Sequence, residues 1–130
     1  SKDNAAQTGE DCIMSSPITT HILDTSIGRP ATGVTVSLER KSSTGETESW
    51  ESIGQGVTDA DGRVADLMSS EKLVEGTYRI HFAIGAYFKE EGREAFYPEA
   101  SIVFEVKNAQ EHYHVPLLLN PYGFSTYRGS

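Results

Sequence analysis

Gly33-Val34-Thr35-Val36-Ser37-Leu38-Glu39-Arg40 decides the fold, because apolar and polar residues alternate along it at a period of two. Successive side chains of a strand point to opposite faces, so this pattern lays one face on a core and the other in water. The alternation returns at Tyr78-Arg79-Ile80-His81-Phe82-Ala83-Ile84 and at Ser101-Ile102-Val103-Phe104-Glu105-Val106. Turn signals at Ile27-Gly28-Arg29-Pro30, Ser43-Thr44-Gly45, Asp61-Gly62 and Glu75-Gly76 separate the runs in the rhythm of a two-sheet β-sandwich. Gly85-Ala86-Tyr87-Phe88-Lys89-Glu90-Glu91-Gly92 breaks that rhythm. It is rich in helix formers and closes on glycine, which predicts one short helix of about two turns between strands.

Outward from these strands, residues 1 to 16 mix charge, Gly and Ser without periodicity and are expected to form a mobile leader, followed by one domain over residues 17 to 130. A chain of 130 residues can bury a core without disulfide staples. Its single cysteine, Cys12, excludes an intrachain disulfide and falls in the leader, where it has no neighbouring base to activate it. Eleven basic against nineteen acidic residues give a net charge of −8, which argues against nucleic acid and against an anionic membrane surface as partners. Apolar runs are too short to span a bilayer. With no secretory signal in view, a cytoplasmic or peroxisomal setting is expected over a secreted one, although the closing Arg128-Gly129-Ser130 is not the Ser-Lys-Leu peroxisomal address.

Candidate chemistry gathers at the two ends. The closing nineteen residues, His112 to Ser130, run a strand through Tyr113-His114-Val115-Pro116-Leu117-Leu118-Leu119 to a turn at Asn120-Pro121-Tyr122-Gly123, and then finish in Tyr127-Arg128-Gly129-Ser130. His112 and His114, two apart, share a strand face. With His21 as a third ligand they form a candidate zinc site with an open position for water, an alternative that spacing leaves standing. His21 lies in a first strand, Thr19-Thr20-His21-Ile22-Leu23-Asp24, and Arg63 follows the turn Thr58-Asp59-Ala60-Asp61-Gly62. Asp59-x-Asp61-Gly62 is expected to be a turn rather than a calcium loop, since its glycine comes early and no bidentate glutamate follows. Arg79 and His81 are expected on the solvent face of their strand. Nucleophile-elbow, phosphate-loop and His-Glu-x-x-His signatures are all missing.

Two gapped motifs carry a resemblance. His21-Ile22-Leu23-Asp24, three residues, then Gly28-x-Pro30-Ala31-x-x-Val34-x-Val36 is similar to the first signature of the transthyretin family. Tyr113-His114-Val115-Pro116-Leu117-Leu118-Leu119-Asn120-Pro121-Tyr122-Gly123-Phe124-Ser125 resembles the second. Asn120 stands where the family usually has serine, a change expected to matter only to the turn. Within the family the hormone-carrying branch has lysine at the position of His21 and lacks a terminal Tyr-Arg-Gly-Ser, whereas the 5-hydroxyisourate hydrolase branch has both. This chain fills the hydrolase positions with His21, Arg63, His114 and Tyr127-Arg128-Gly129-Ser130.

The resemblance implies an all-β, transthyretin-like sandwich with one short helix, assembled as a homotetramer, a dimer of dimers with its sites in the central cleft. It implies hydrolysis of 5-hydroxyisourate to 2-oxo-4-hydroxy-4-carboxy-5-ureidoimidazoline in urate degradation, with no cofactor and no metal. His21, Arg63 and His114 are the expected catalytic residues, and Tyr127, Arg128, Gly129 and Ser130 the expected substrate-binding ones. The alternative function is a small-molecule carrier of the thyroid-hormone type without catalysis, which would want an apolar channel where this chain has two histidines and an arginine.

Overall fold

A computed structural model describes residues 16–42, 48–68 and 72–130. Among them eight strands and one helix form two four-stranded sheets. In chain order these are β1 (Ile18–Asp24), β2 (Arg29–Pro30), β3 (Thr35–Ser42), β4 (Ser49–Val57), β5 (Gly76–Phe82), α1 (Ile84–Glu90), β6 (Ala100–Val106), β7 (Tyr113–Asn120) and β8 (Gly123–Thr126). One sheet runs β2-β1-β7-β8 and the other β4-β3-β5-β6. Cys12 and the turn at Ser43-Thr44-Gly45 lie outside the described residues, as does the expected leader apart from Ser16. That serine is buried, donates to the carbonyl of Ile18 and accepts the amide hydrogen of Met68.

The alternating runs do what their period requires. Val36 and Leu38 of β3 and Tyr78, Ile80 and Phe82 of β5 are fully buried, facing Ile18 and Ile22 of β1 and Leu117 and Leu119 of β7 across the core. β3 is flanked by antiparallel β4 and β5, and β6 closes that sheet. The central pair of the other sheet, β1 and β7, is parallel and joins the two ends of the domain: Thr19 is opposite His114 and His21 opposite Pro116.

Strand β4 carries no apolar alternation, and the reason lies in its glycines. A side chain at Gly54 would run into the carbonyl oxygen of Leu67, and one at Gly56 into Val64 Cγ1. The segment after the turn therefore packs directly on the β4 backbone and supplies the core residues Val64, Leu67 and Met68 that the strand itself lacks.

Helix α1 begins one residue before the expected stretch and ends before Gly92, whose φ of 71° puts it in the left-handed region. The amides of Gly92 and Arg93 fold back onto the carbonyls of Lys89 and Phe88, a left-handed termination that glycine permits. Tyr87 and Phe88 bury the helix against the core. Arg93 and Tyr87 then tie it to β1 through Asp24, which has no exposed side chain: Arg93 Nη2 is 2.6 Å and the Tyr87 hydroxyl 2.8 Å from Asp24 Oδ2, while Ser26 donates to Oδ1.

Burial raises the Asp24 carboxyl, but hydrogen bonds from Ser26, Arg93 and Tyr87 outweigh it and hold the group below its ordinary value. Its stabilising contribution is therefore complete above the unfolded value of 3.8 and is lost as the pH falls below it. Asp24→Ala strands Arg93 and Tyr87 and is expected to cost about 3 kcal/mol in urea unfolding at neutral pH. A loss under about 0.5 kcal/mol would show that the helix does not depend on this anchor.

Candidate functional site

The outward face of β1 and β7 gathers the chemistry. Residues of β1 alternate buried and half-buried, so Ile18, Thr20, Ile22 and Asp24 point in while Thr19, His21 and Leu23 point out. On β7 His114 is half-buried beside Thr19 in the register, two residues along from the Pro116–His21 pair. The parallel pairing thus sets the two histidines on adjacent strands, on one face, offset by two residues.

Arg63 joins them through the turn before it. Asp59 Oδ1 accepts the amide hydrogens of Asp61 (2.9 Å) and Arg63 (3.1 Å), and the Asp59 carbonyl accepts that of Gly62 (2.9 Å). Hydrogen bonds from the Arg63 and Asp61 amides keep the Asp59 carboxyl ionised to lower pH than usual. This is a turn, as its spacing suggests, and its use is to dock Arg63 beside β1: Arg63 bridges His21 in antiparallel fashion, and the amide of Ile22 donates to the Gly62 carbonyl at 2.8 Å. Gly62 sits at φ 78°, and a Cβ there would strike the Ile22 carbonyl and crowd the His21 ring. Glycine at this position lets the turn approach the histidine.

The chain end closes the other side. Gly129 bridges His114 and donates its amide hydrogen to the His114 carbonyl at 2.9 Å. A Cβ on Gly129 would come within 2.6 Å of His114 Cδ2 and 3.2 Å of Pro116 Cγ. Arg128 lies over the Tyr113 ring at 4.5 Å and pairs with Glu111 at 2.9 Å. Tyr127 and Ser130 are exposed. Tyr127 and Arg128 line, with His114, Tyr113, Phe104 and Ile102, a cavity of about 260 Å³ where the two sheets part.

Burial lowers the pKa of His114 below the ordinary 6.5, and the charges of Arg63, His112 and His21 lower it further. Those interactions bring the three expected catalytic residues into one electrostatic neighbourhood.

Thr19, which the sequence reading passed over, holds this cluster together. Its Oγ1 lies 2.8 Å from His114 Nδ1 and 3.2 Å from His112 Nε2. The signal was available, since Thr19 is two residues before His21 and so shares its face. His112 precedes β7 and is exposed, and its Nε2 and the Nδ1 of His114 both turn toward that one hydroxyl. Among the described residues no group of three or more His, Cys, Asp or Glu side chains converges to hold a metal. Arg79 and His81 are more engaged than a solvent face requires: Arg79 stacks on Trp50 at 4.2 Å and pairs with Glu39 at 2.7 Å, and His81 meets Glu99 at 2.5 Å. No described helix is long and apolar enough to cross a membrane.

The family model described as "Transthyretin: HIUase/Transthyretin family" matches residues 18–129. The chain belongs to the HIUase/transthyretin family. Within that family, the 5-hydroxyisourate hydrolase of Salmonella dublin is 44% identical over 113 residues, covering 87% of this chain and 80% of the relative. The 5-hydroxyisourate hydrolase of Caulobacter vibrioides is 48% identical over 119 residues, covering 88% and 99%. Among solved structures of the HIUase/transthyretin fold, Klebsiella pneumoniae 5-hydroxyisourate hydrolase superposes with a TM-score of 0.73 at 43% identity, covering 87% of this chain and 98% of that one. Sea bream transthyretin in complex with thyroxine gives 0.80 at 32% identity, covering 88% and 95%. Backbone likeness within the HIUase/transthyretin family thus does not separate hydrolase from transthyretin; the higher identity to the hydrolase does.

Proposed function

We propose that this chain hydrolyses 5-hydroxyisourate to 2-oxo-4-hydroxy-4-carboxy-5-ureidoimidazoline, opening a cyclic amide by water attack in urate degradation. The observation that carries the reading is the gathering of His21, Arg63 and His114 on one outward face, with Arg63 bridged to His21 and the His21 strand paired in parallel with that of His114, and with hydrolase relatives above 40% identity in support.

Opening a cyclic amide needs a base for the attacking water, a partner for the developing oxyanion and a proton for the departing nitrogen. His21 and His114 serve water activation and proton transfer, since an imidazole exchanges protons near neutral pH. Arg63 offers a planar fork of donors to a carbonyl or ring anion of the flat substrate. It supplies local positive potential in a chain of net charge −8. Tyr127, Arg128, Gly129 and Ser130 border the substrate. Direct attack by water is preferred to an acyl-enzyme, since no described base touches Ser130. The working assembly is a homotetramer, with this face turned into the cleft between dimers.

Mixing freshly generated 5-hydroxyisourate with the protein and following its ultraviolet absorbance tests the reading: decay faster than the spontaneous rate is expected, and unchanged decay would sink it. Should thyroxine bind tightly in a calorimetric titration while decay stays unchanged, the carrier reading would replace it. Because His114 titrates below 6.5, its neutral form survives to mildly acidic pH. kcat/KM is therefore expected to hold from pH 8 down through 6.5 and to fall only at lower pH, as His114 protonates. A profile flat from pH 5 to 8 would count against histidine chemistry.

A further inference from the structure

Thr19 joins the two histidines of the terminal segment, and the number of hydrogens at that junction discriminates between two protonation patterns. A threonine hydroxyl has one hydrogen and two lone pairs, so of its contacts with His114 Nδ1 and His112 Nε2 it donates at most one and accepts wherever it does not donate. If Thr19 donates to His112, its oxygen accepts from His114, which then carries its proton on Nδ1 and has a bare Nε2. In the opposite pattern Nε2 of neutral His114 holds the hydrogen and cannot take one from water. Nε2 is also the ring nitrogen of His114 with no partner among the described residues. The Cδ2 edge of the ring faces Gly129, so turning the ring over would exchange the bond to Thr19 for a C–H contact.

We propose that His114 is the general base of the ring opening and that Thr19, itself oriented by His112, is the positioning residue that fixes the proton of His114 on Nδ1. The inference rests on the hydrolase reading above. The cationic groups acting on the ring from other elements are Arg63 and His21, and Arg128, paired with Glu111, borders His112 with a guanidinium nitrogen 3.4 Å from its carbonyl oxygen. Burial and the charges of Arg63, His112 and His21 favour a neutral, proton-accepting His114 over a charged one, and outweigh a hydrogen bond to the Thr19 backbone that favours the charged form. In the step itself the water oxygen bonds to the amide carbonyl carbon as Nε2 takes the water's proton. The carbon–nitrogen bond then breaks and the departing nitrogen takes that proton from Nε2, which restores the base. Thr19 and His112 keep their own protons throughout. The arrangement is that of a catalytic base held in one tautomer by a third group, here a neutral hydroxyl.

Thr19→Val, Thr19→Ser and His112→Phe in the full chain test it. Valine keeps the shape and the strand preference of threonine and removes only the hydroxyl. Thr19→Val is expected to lower kcat about tenfold with KM within about twofold, and Thr19→Ser to restore it. His112→Phe, which leaves the hydroxyl free to point either way, should fall between them. Nitrogen-15 spectra of the imidazole rings in the unliganded protein at pH 8 give a readout independent of turnover. They should place the His114 proton on Nδ1 in the parent and in Thr19→Ser, and show it divided between the Nδ1 and Nε2 tautomers of the neutral ring in Thr19→Val. A parent spectrum with the proton on Nε2, or a Thr19→Val kcat within about twofold of the parent, overturns the proposal. If the parent chain left 5-hydroxyisourate untouched, the hydrolase reading would fall, while the spectra would still decide what Thr19 does to His114.

Discussion

Replacing His114 with alanine is expected to lower kcat for 5-hydroxyisourate by about 10²- to 10⁴-fold, the range in which a positioned acid–base group contributes. The side chain stands outside the core, half-buried on the outward face of β7, so far-UV circular dichroism should be unchanged. Its loss removes a proton acceptor needed in the transition state and little ground-state binding, so kcat and kcat/KM should fall together. His21→Ala and Arg63→Ala should also reduce turnover strongly. Groups that act as a unit are not additive, and the His21/His114 double variant should cost little more than the worse single one. Near-normal hydrolysis by any of the three single variants would remove that residue from the catalytic set.

Gly129→Ala, one methyl group added outside the reacting atoms, is expected to cost about 10²-fold in kcat. The added carbon would lie 2.6 Å from His114 Cδ2 and 3.3 Å from Cγ, with Pro116 Cγ behind it at 3.2 Å. The ring cannot retreat toward Thr19 without compressing a 2.8 Å hydrogen bond, so either the imidazole tilts or the terminal segment lifts away. A displacement of about 1 Å at a reacting group is enough for a loss of that size. Stability should change little, because the terminal segment beyond β8 contributes little to the core. Gly129→Ala with parental kcat would show that the closing tetrapeptide is not pressed against the base in the working enzyme. Equal losses of melting temperature and activity would make the effect structural.

Much of this was legible before the structure, and the reasons are residue by residue. β3, β5 and β6 declare themselves because each has one face on a core. β4 does not, because Gly54 and Gly56 hand their inward face to the segment 64–68, and a strand whose apolar complement comes from another part of the chain leaves no period to read. Arg29-Pro30 was read as part of a turn; it is a turn that also pairs with Leu23 and Asp24 as a two-residue strand. Asn120 behaves as its place in the turn suggests, its Oδ1 accepting the Tyr122 amide hydrogen at 2.8 Å, a local effect. His21, Arg63 and His114 could be named together as candidates through the family resemblance, but their nearness could not be read. It depends on the parallel register of β1 with β7 and on glycines at 62 and 129 that allow close approach. Thr19 was passed over for a different reason: its place on the His21 face was readable, but a threonine there has no visible role until the partner strand is known.

The pairing of β1 with β7 also has a consequence in time. Thr19 and His114, 95 residues apart, meet only when the two ends of the domain come together. Contacts between such distant parts of a chain repay their loop-closure entropy late, which makes folding slow relative to a domain built from neighbouring hairpins. A chain growing from its amino end can begin to assemble the β4-β3-β5-β6 layer while β7 is still unmade, leaving the β1 edge uncovered. Ribosome-stalled nascent chains that stop short of residue 113 should therefore be protease-sensitive around β1 and inactive. Protection of β1 should appear only once β7 has emerged to pair with it, so the strand that carries His21 is sheltered by the one that carries His114.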